Sequence, residues 1–530
     1  MTNFSSRSAA AVAPLLLKEW LHDGAEIALL DVREHGQYGE SHLFYAVSLP
    51  WSRLELDIGR LVPRRSARVV VYDEGDGLAR QAAGRLQALG YGEVYWLEGG
   101  TPAWRAAGLQ LFAGVNVPSK TFGELAEHAF DTPRIRAEEL AAMQARGEAV
   151  VIVDGRPYNE YRKMNIPGSI CCPNGELALH IDTLVPDETT PIVVNCAGRT
   201  RSIIGAQTLI NLGLPNPVYA LENGTQGWFL ADLKLEHGAQ RRYEARVPAG
   251  ALAQLRQRAR AVAERFEVPV VDAATVRGWL DDGQRSVFLC DVRSAEEFAQ
   301  GSLPGARHTP GGQLIQATDQ YVGVRHARLV LFDGEGVRAL VVASWLRQLG
   351  WDAVVLREGL EAALPKAPAE AALPPLPVLK VDALRTAQAD GAPIVDVRPS
   401  MHYRRLRVAG AHWAIRARVE QVLALSNAAG GAPLTLIAEE AGVAALFAQS
   451  ARELGMAVAG VNLDGEQVWR EAGLALAAGG DLPPDSECID YLFFVHDRHD
   501  GNKAAARQYL AWETGLLQQI DARERATFRL

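Results

Sequence analysis

The stretch "VVNCAGRTRS" (193–202) ends an apolar run at a single cysteine, Cys196, and places a glycine and two arginines within the next five residues. Only five cysteines occur in the 530 residues, so such a setting is not incidental. The apolar run reads as a strand, and "SIIGAQTLINLG" (202–213) as a helix beginning just after it. The loop between them therefore sits over a helix N-terminus. Backbone N–H groups there have no helical partner, and the positive end of the helix dipole points at whatever the loop holds. That is an anion cradle. It would stabilise a thiolate on Cys196 and any covalent intermediate on its sulfur. Gly198 allows a tight curl. Arg199 and Arg201 can hold a small oxyanion through charge-assisted bonds. The pattern suits a nucleophilic cysteine attacking a small anionic substrate, with Ala197, Gly198, Arg199, Thr200 and Arg201 as the binding loop.

Other residues are weaker candidates. In "CCPNGEL" (171–177), Asn174 and Glu176 could line the pocket. Cys171 and Cys172 could resolve a disulfide or other covalent sulfur intermediate on Cys196, but neighbours in a strand face opposite ways, and packing is the better reading. Asn195 precedes the nucleophile and orients the loop. His496, Asp497, His499 and Asp500 could ligate a metal, but their crowding fits no standard structural site, and neither metal nor cofactor is expected.

The elements that position Cys196 recur along the chain. Apolar runs end in Asp31-Val32-Arg33, Asp154-Gly155-Arg156, Asp291-Val292-Arg293 and Asp396-Val397-Arg398. A second run ends 42 residues after each Asp, at Asp73, Cys196, Asp333 and Ala438. A helix closing in Leu-Gly follows, its glycine 17 residues further on, at Gly90, Gly213, Gly350 and Gly455. Trp104, Trp228 and Trp469 end three of the segments. These coincidences define four homologous repeats, over 13–112, 135–235, 269–362 and 378–476, with a tail at 477–530. Continuous apolar strands alternating with helices indicate an α/β fold with a parallel sheet covered on both faces. Asp-x-Arg recurs in repeats without the cysteine, so it reads as a structural ion pair. The repeats also serve as controls. Where the second carries Arg199 and Arg201, the others carry Asp76 and Leu78, Gly336 and Arg338, and Ala441 and Val443. Only the second can run the cysteine chemistry.

Linkers are expected near 113–134, polar and proline-bearing; near 236–268, with a helix over 251–266; and near 363–377, rich in proline and alanine. The tail offers an amphipathic helix over 503–520 as a clamp. A hydrophobic content of 48% and a charged content of 22% suit globular domains. The net charge of −9 argues against a nucleic-acid binder. No apolar stretch suits a membrane span. "AAAVAPLLL" (9–17) is interrupted by Pro14 and leads into a first helix rather than a signal peptide. Five cysteines without a framework favour a reducing, cytoplasmic setting. The oligomeric state is left open, a homo-oligomer being one option.

The Asp-x-Arg strand ends, "NIPGSI" (165–170), "CAGRTRS" and "LENGTQGW" (221–228) together resemble the rhodanese family of thiosulfate-type sulfurtransferases, here in tandem. The resemblance spans the four repeats and not the tail. It implies a five-stranded parallel sheet flanked by helices in each domain. It also implies sulfur transfer: Cys196 takes the outer sulfur of a donor as a persulfide, held by loop amides, and passes it to cyanide or a thiol. One departure is that familiar two-domain members carry the cysteine in their last domain. The six-residue loop from Cys196 to Arg201 matches rhodaneses, whereas related phosphatases have one residue more. The two loop arginines favour thiosulfate as the small anionic donor. The alternatives are 3-mercaptopyruvate or another thiol donor, or a persulfide carrier or redox sensor with slow turnover.

Overall fold

The structure, a computed structural model, describes residues 9–248, 250–365, 373, 375–493 and 502–530. His496, Asp497, His499 and Asp500 lie outside the described residues. Two compact units emerge, one within residues 1–17, 29–113 and 369–493, the other within 18–28, 114–368 and 494–530. The first and fourth repeats thus share one unit, and the second and third share the other.

The first three repeats each carry a five-stranded sheet of one order. In the second repeat that order is Arg134–Ile135, Val218–Leu221, Ile192–Asn195, Val151–Asp154, Ile170–Cys171. All its neighbours are parallel. The Ile192–Asn195 strand is wholly buried, which is why its sequence is apolar throughout rather than alternating. Val151–Asp154 lies beside it, and the chain leaves the two strands toward opposite edges of the sheet. The loops after Asn195 and after Asp154 therefore meet at a topological switch point, where such sheets bind ligands.

The fourth repeat departs from the expected five strands. Its sheet has four: His412–Trp413, Ile394–Asp396, Leu434–Ile437 and Val458–Asn462. Where the first strand would run, Val378 makes only a bridge to Val461. There the Asn462 side-chain amide donates to the Leu379 carbonyl at 3.0 Å, where the second and third repeats use a backbone N–H, of Glu222 to Ile135 and of Arg357 to Val271.

Each Asp-x-Arg pair is a buried staple. Arg156 binds Asp154 with Nε–Oδ1 at 2.9 Å and Nη2–Oδ2 at 2.7 Å. Asp31–Arg33, Asp291–Arg293 and Asp396–Arg398 do the same. In all four, Nη2 also donates to the carbonyl eight residues on, at Ser41, Met164, Gly301 and Leu406. The staple fixes the loop after the central strand. In the second repeat Arg156 also lines the cavity that holds Cys196.

The first linker and the tail both supply helices with buried charged residues. Residues 117–130, within the supposedly polar first linker, form the helix Val117–Phe130, and it buries Lys120, Glu124 and Glu127. The tail supplies the helix Lys503–Gln519, with Glu513 fully buried. No helix among the described residues is long and apolar enough to cross a membrane.

Candidate active site

Cys196 follows the central strand directly, and the helix Thr200–Asn211 begins four residues later. The "LENGTQGW" segment clamps the loop from outside. Thr225 N–H donates to the Cys196 carbonyl at 2.8 Å, and Gln226 N–H to that of Ala197 at 3.1 Å. Gly224 has φ +53°, and a Cβ there would meet the Cys196 carbonyl oxygen at 2.2 Å, so glycine is required by both backbone and space. Gly198 is constrained differently. Its φ is not positive; its Cβ would come within 3.0 Å of Glu513 Oε2 and 3.4 Å of Tyr509.

Cys196 is 2% exposed, and its sulfur receives a hydrogen bond from Ser202 Oγ at 3.1 Å. Cys196, Ala197 and Gly198 line a cavity of about 370 Å3 together with Lys120, Arg156, Glu160, Lys163, Arg201 and Tyr509. Four cationic residues thus line it against one acidic residue. Arg201 points its guanidinium there while held bidentate by Glu160, at 2.9 and 2.8 Å. Burial disfavours the Arg201 charge, but Glu160 outweighs it and keeps the guanidinium firmly protonated. Gln313 Oε1 accepts from the same guanidinium at 3.3 Å.

The expectation that both loop arginines face the anion is corrected. Arg199 does not line the cavity. Glu124 takes its Nε and Nη2 at 2.7 and 2.9 Å, and Glu127 takes Nη2 as well. The Val117–Phe130 helix thereby turns Arg199 into an anchor of the loop. Thr200 is likewise an anchor, its hydroxyl donating to Glu513 Oε1 at 2.8 Å.

Asn174 and Glu176 are corrected as pocket residues. Asn174 Nδ2 donates to the Arg201 carbonyl at 2.8 Å, which positions the loop from behind. Glu176 faces a separate cavity of about 300 Å3 and pairs with buried Arg338 of the third repeat at 2.9 Å. Burial lifts the Glu176 carboxyl to about 7, with Arg338 opposing. Glu297 and Glu335 complete the cage around Arg338, so this arginine offers no second anion site. Asn195 donates to Asp154 Oδ2 at 3.0 Å and ties the two central strands together. Cys171 and Cys172 are buried; burial pushes the Cys171 thiol up to about 12 and that of Cys172 well above its ordinary range. Both are poor nucleophiles beside the loop cysteine.

In the first and third repeats a carboxylate fills the equivalent loop. Asp73 accepts from the N–H groups of Gly75, Gly77 and Ala79 at 2.9, 3.0 and 2.8 Å. Asp333 accepts from Gly336, Val337 and Arg338 at 2.9, 2.9 and 2.7 Å. These loops cradle an anion, and there the anion is built in.

The rhodanese-like domain model matches residues 13–107, 136–231 and 272–364. The chain belongs to the rhodanese family. The fourth repeat lies outside the three matched segments. The crystal structure of a thiosulfate sulfurtransferase from Pseudomonas aeruginosa superposes on this rhodanese with a TM-score of 0.89 and 40% identity, covering 98% of this chain and 99% of that one. A sulfurtransferase from Allochromatium vinosum is 29% identical over 97 residues, 18% of this chain and 89% of that one. An uncharacterized protein of Synechocystis is 32% identical over 114 residues, and the chain spans 62% of its length. The rhodanese domains and these likenesses support sulfurtransferase activity.

Proposed function

We propose that this rhodanese is a thiosulfate sulfurtransferase acting through Cys196. The Cys196 thiolate attacks the outer sulfur of thiosulfate. The S–S bond of the donor breaks, sulfite leaves with the electron pair, and the sulfur stays on Cys196 as a persulfide. An acceptor thiolate or cyanide then attacks that sulfur and frees the Cys196 thiolate. Arg201 attracts the dianion, Ser202 hydrogen-bonds the sulfur, and the loop amides hold the persulfide charge. The observation that carries this reading is the amide cradle. Asp73 and Asp333 show in the sister loops that such amides take an anion, and in the second repeat a cysteine stands in the carboxylate's place. Steady-state kinetics with thiosulfate and cyanide test it. Parallel double-reciprocal lines are expected, the signature of a covalent intermediate between two half-reactions. Intersecting lines, or a higher kcat/KM with 3-mercaptopyruvate, would overturn the assignment.

A further inference from the structure

The Cys196 cavity is larger than its donor requires. Thiosulfate has five heavy atoms, whereas cavities of ~300–1,000 Å3 hold drug-sized ligands, and this one has about 370 Å3. Lys120 faces the same cavity from outside the motif that the family shares, on the linker helix Val117–Phe130. Its ammonium is 3.0 Å from Glu513 Oε1, and it lies 5.6 Å from the Tyr509 ring centroid. Both partners come from the tail helix Lys503–Gln519, which belongs to no repeat. Glu513 is fully buried and also takes the Thr200 hydroxyl. Burial alone would raise its carboxyl; Lys120 more than compensates, so the carboxylate stays charged. One buried anion thus locks both the first residue of the loop helix and a lysine that lines the substrate cavity. A flexible surface lysine would not need such fixing; its long stem loses much rotamer freedom when ordered.

We propose that Lys120 forms a second anion subsite, which receives the carboxylate of a thiol acceptor while its sulfur reaches the Cys196 persulfide. The inference rests on the sulfurtransferase reading above. The acceptor thiolate attacks the outer persulfide sulfur; the bond from Cys196 to that sulfur breaks, its electron pair returns to Cys196, and a carboxylate-bearing persulfide leaves. No oxidant or reductant is consumed. Lys120 is a specificity residue: it touches the remote carboxylate and not the reacting sulfur. Glu513 is a positioning residue that holds both Lys120 and Thr200.

The test compares 3-mercaptopropionate with 2-mercaptoethanol as acceptors, using full-length protein and thiosulfate as donor. Taking each variant relative to the wild type cancels the intrinsic reactivity of the two thiols. Lys120→Met is expected to raise KM for 3-mercaptopropionate about 10-fold or more, the range for a lost hydrogen bond to a charged group, with kcat held within about twofold. The 2-mercaptoethanol constants should move less than about twofold. Lys120→Arg should restore most of the preference, and Glu513→Gln should fall between. A Lys120→Met variant that weakens both thiols equally, or a KM for 3-mercaptopropionate that does not change, would overturn the subsite. Loading of Cys196 by thiosulfate, read in the same samples as thiocyanate released by cyanide, keeps the two readings apart. If the wild type does not load, the sulfurtransferase reading fails; if it loads and Lys120→Met changes nothing, only the subsite fails.

Discussion

The loop after the central strand is built alike in the second and third repeats, yet one is open and the other closed. In the third, Asp333 folds its carboxylate onto three loop N–H groups. In the second, Cys196 occupies that place and lines a basic cavity, and the only side-chain hydroxyl bonded to its sulfur comes from Ser202, among the described residues. The first repeat closes its loop as the third does, through Asp73. The difference teaches that an anion-binding loop is a property of the backbone. Whether it serves stability or catalysis is decided by one residue, which either supplies the anion or leaves room for one. The arginine that follows obeys the same division. Arg338 is caged by three carboxylates, whereas Arg201 keeps one carboxylate partner and faces the cavity.

The comparison can be broken most directly at the cysteine. Cys196→Ala should lower kcat for thiosulfate–cyanide transfer by about 10^3-fold or more, as for other removed nucleophiles, with an unchanged circular-dichroism spectrum. Cys196→Asp should be equally inactive but should melt at or above the temperature of Cys196→Ala, because a carboxylate there can close the loop as Asp333 does. A lower melting temperature for the aspartate variant would show that the two loops are not equivalent. Asp333→Ala removes a buried acceptor of three amide bonds and should cost about 2–4 kcal/mol in denaturant unfolding while sulfur transfer persists in the folded protein. Arg201→Ala should raise the thiosulfate KM about 10-fold, the cost of one charge-assisted contact, and an unaltered KM would remove Arg201 from donor binding. The smallest effect is expected from Cys171→Ser, whose transfer rate should stay within about twofold of the wild type, since its thiol is held protonated by burial and faces another cavity.

Much of this was legible in the chain. The 42-residue step from each Asp-x-Arg to the next strand end located the loops, because equal spacing between buried strands forces equal topology. The nucleophile stood out through its arginines and the helix that follows it. The fate of those arginines was not legible. Arg199 is captured by Glu124 and Glu127, which lie more than 70 residues upstream in a segment whose polar composition reads as a linker. Local pattern carries no information on which distant carboxylate will be buried beside a given guanidinium. Glu513, over 300 residues downstream of Thr200, was hidden for the same reason. Only its place on the packed face of an amphipathic helix hinted that the tail had a partner. Glu176 misled because it follows a short strand beside the site, while its carboxylate turns to Arg338 of the next repeat. The missing fifth strand in the last repeat was not legible, because it turns on the Asn462 side-chain amide taking the Leu379 carbonyl that a backbone N–H takes in the sister repeats.

In the proposed function one loop in four carries sulfur, on Cys196. Peptide mass spectrometry of the protein after incubation with thiosulfate tests it directly. A gain of about 32 Da, one sulfur atom, is predicted on the peptide containing Cys196, reversed by cyanide and absent in Cys196→Ser, as a covalent intermediate requires. An unmodified Cys196 peptide, or the same gain on Cys171, Cys172, Cys290 or Cys488 instead, would contradict the account.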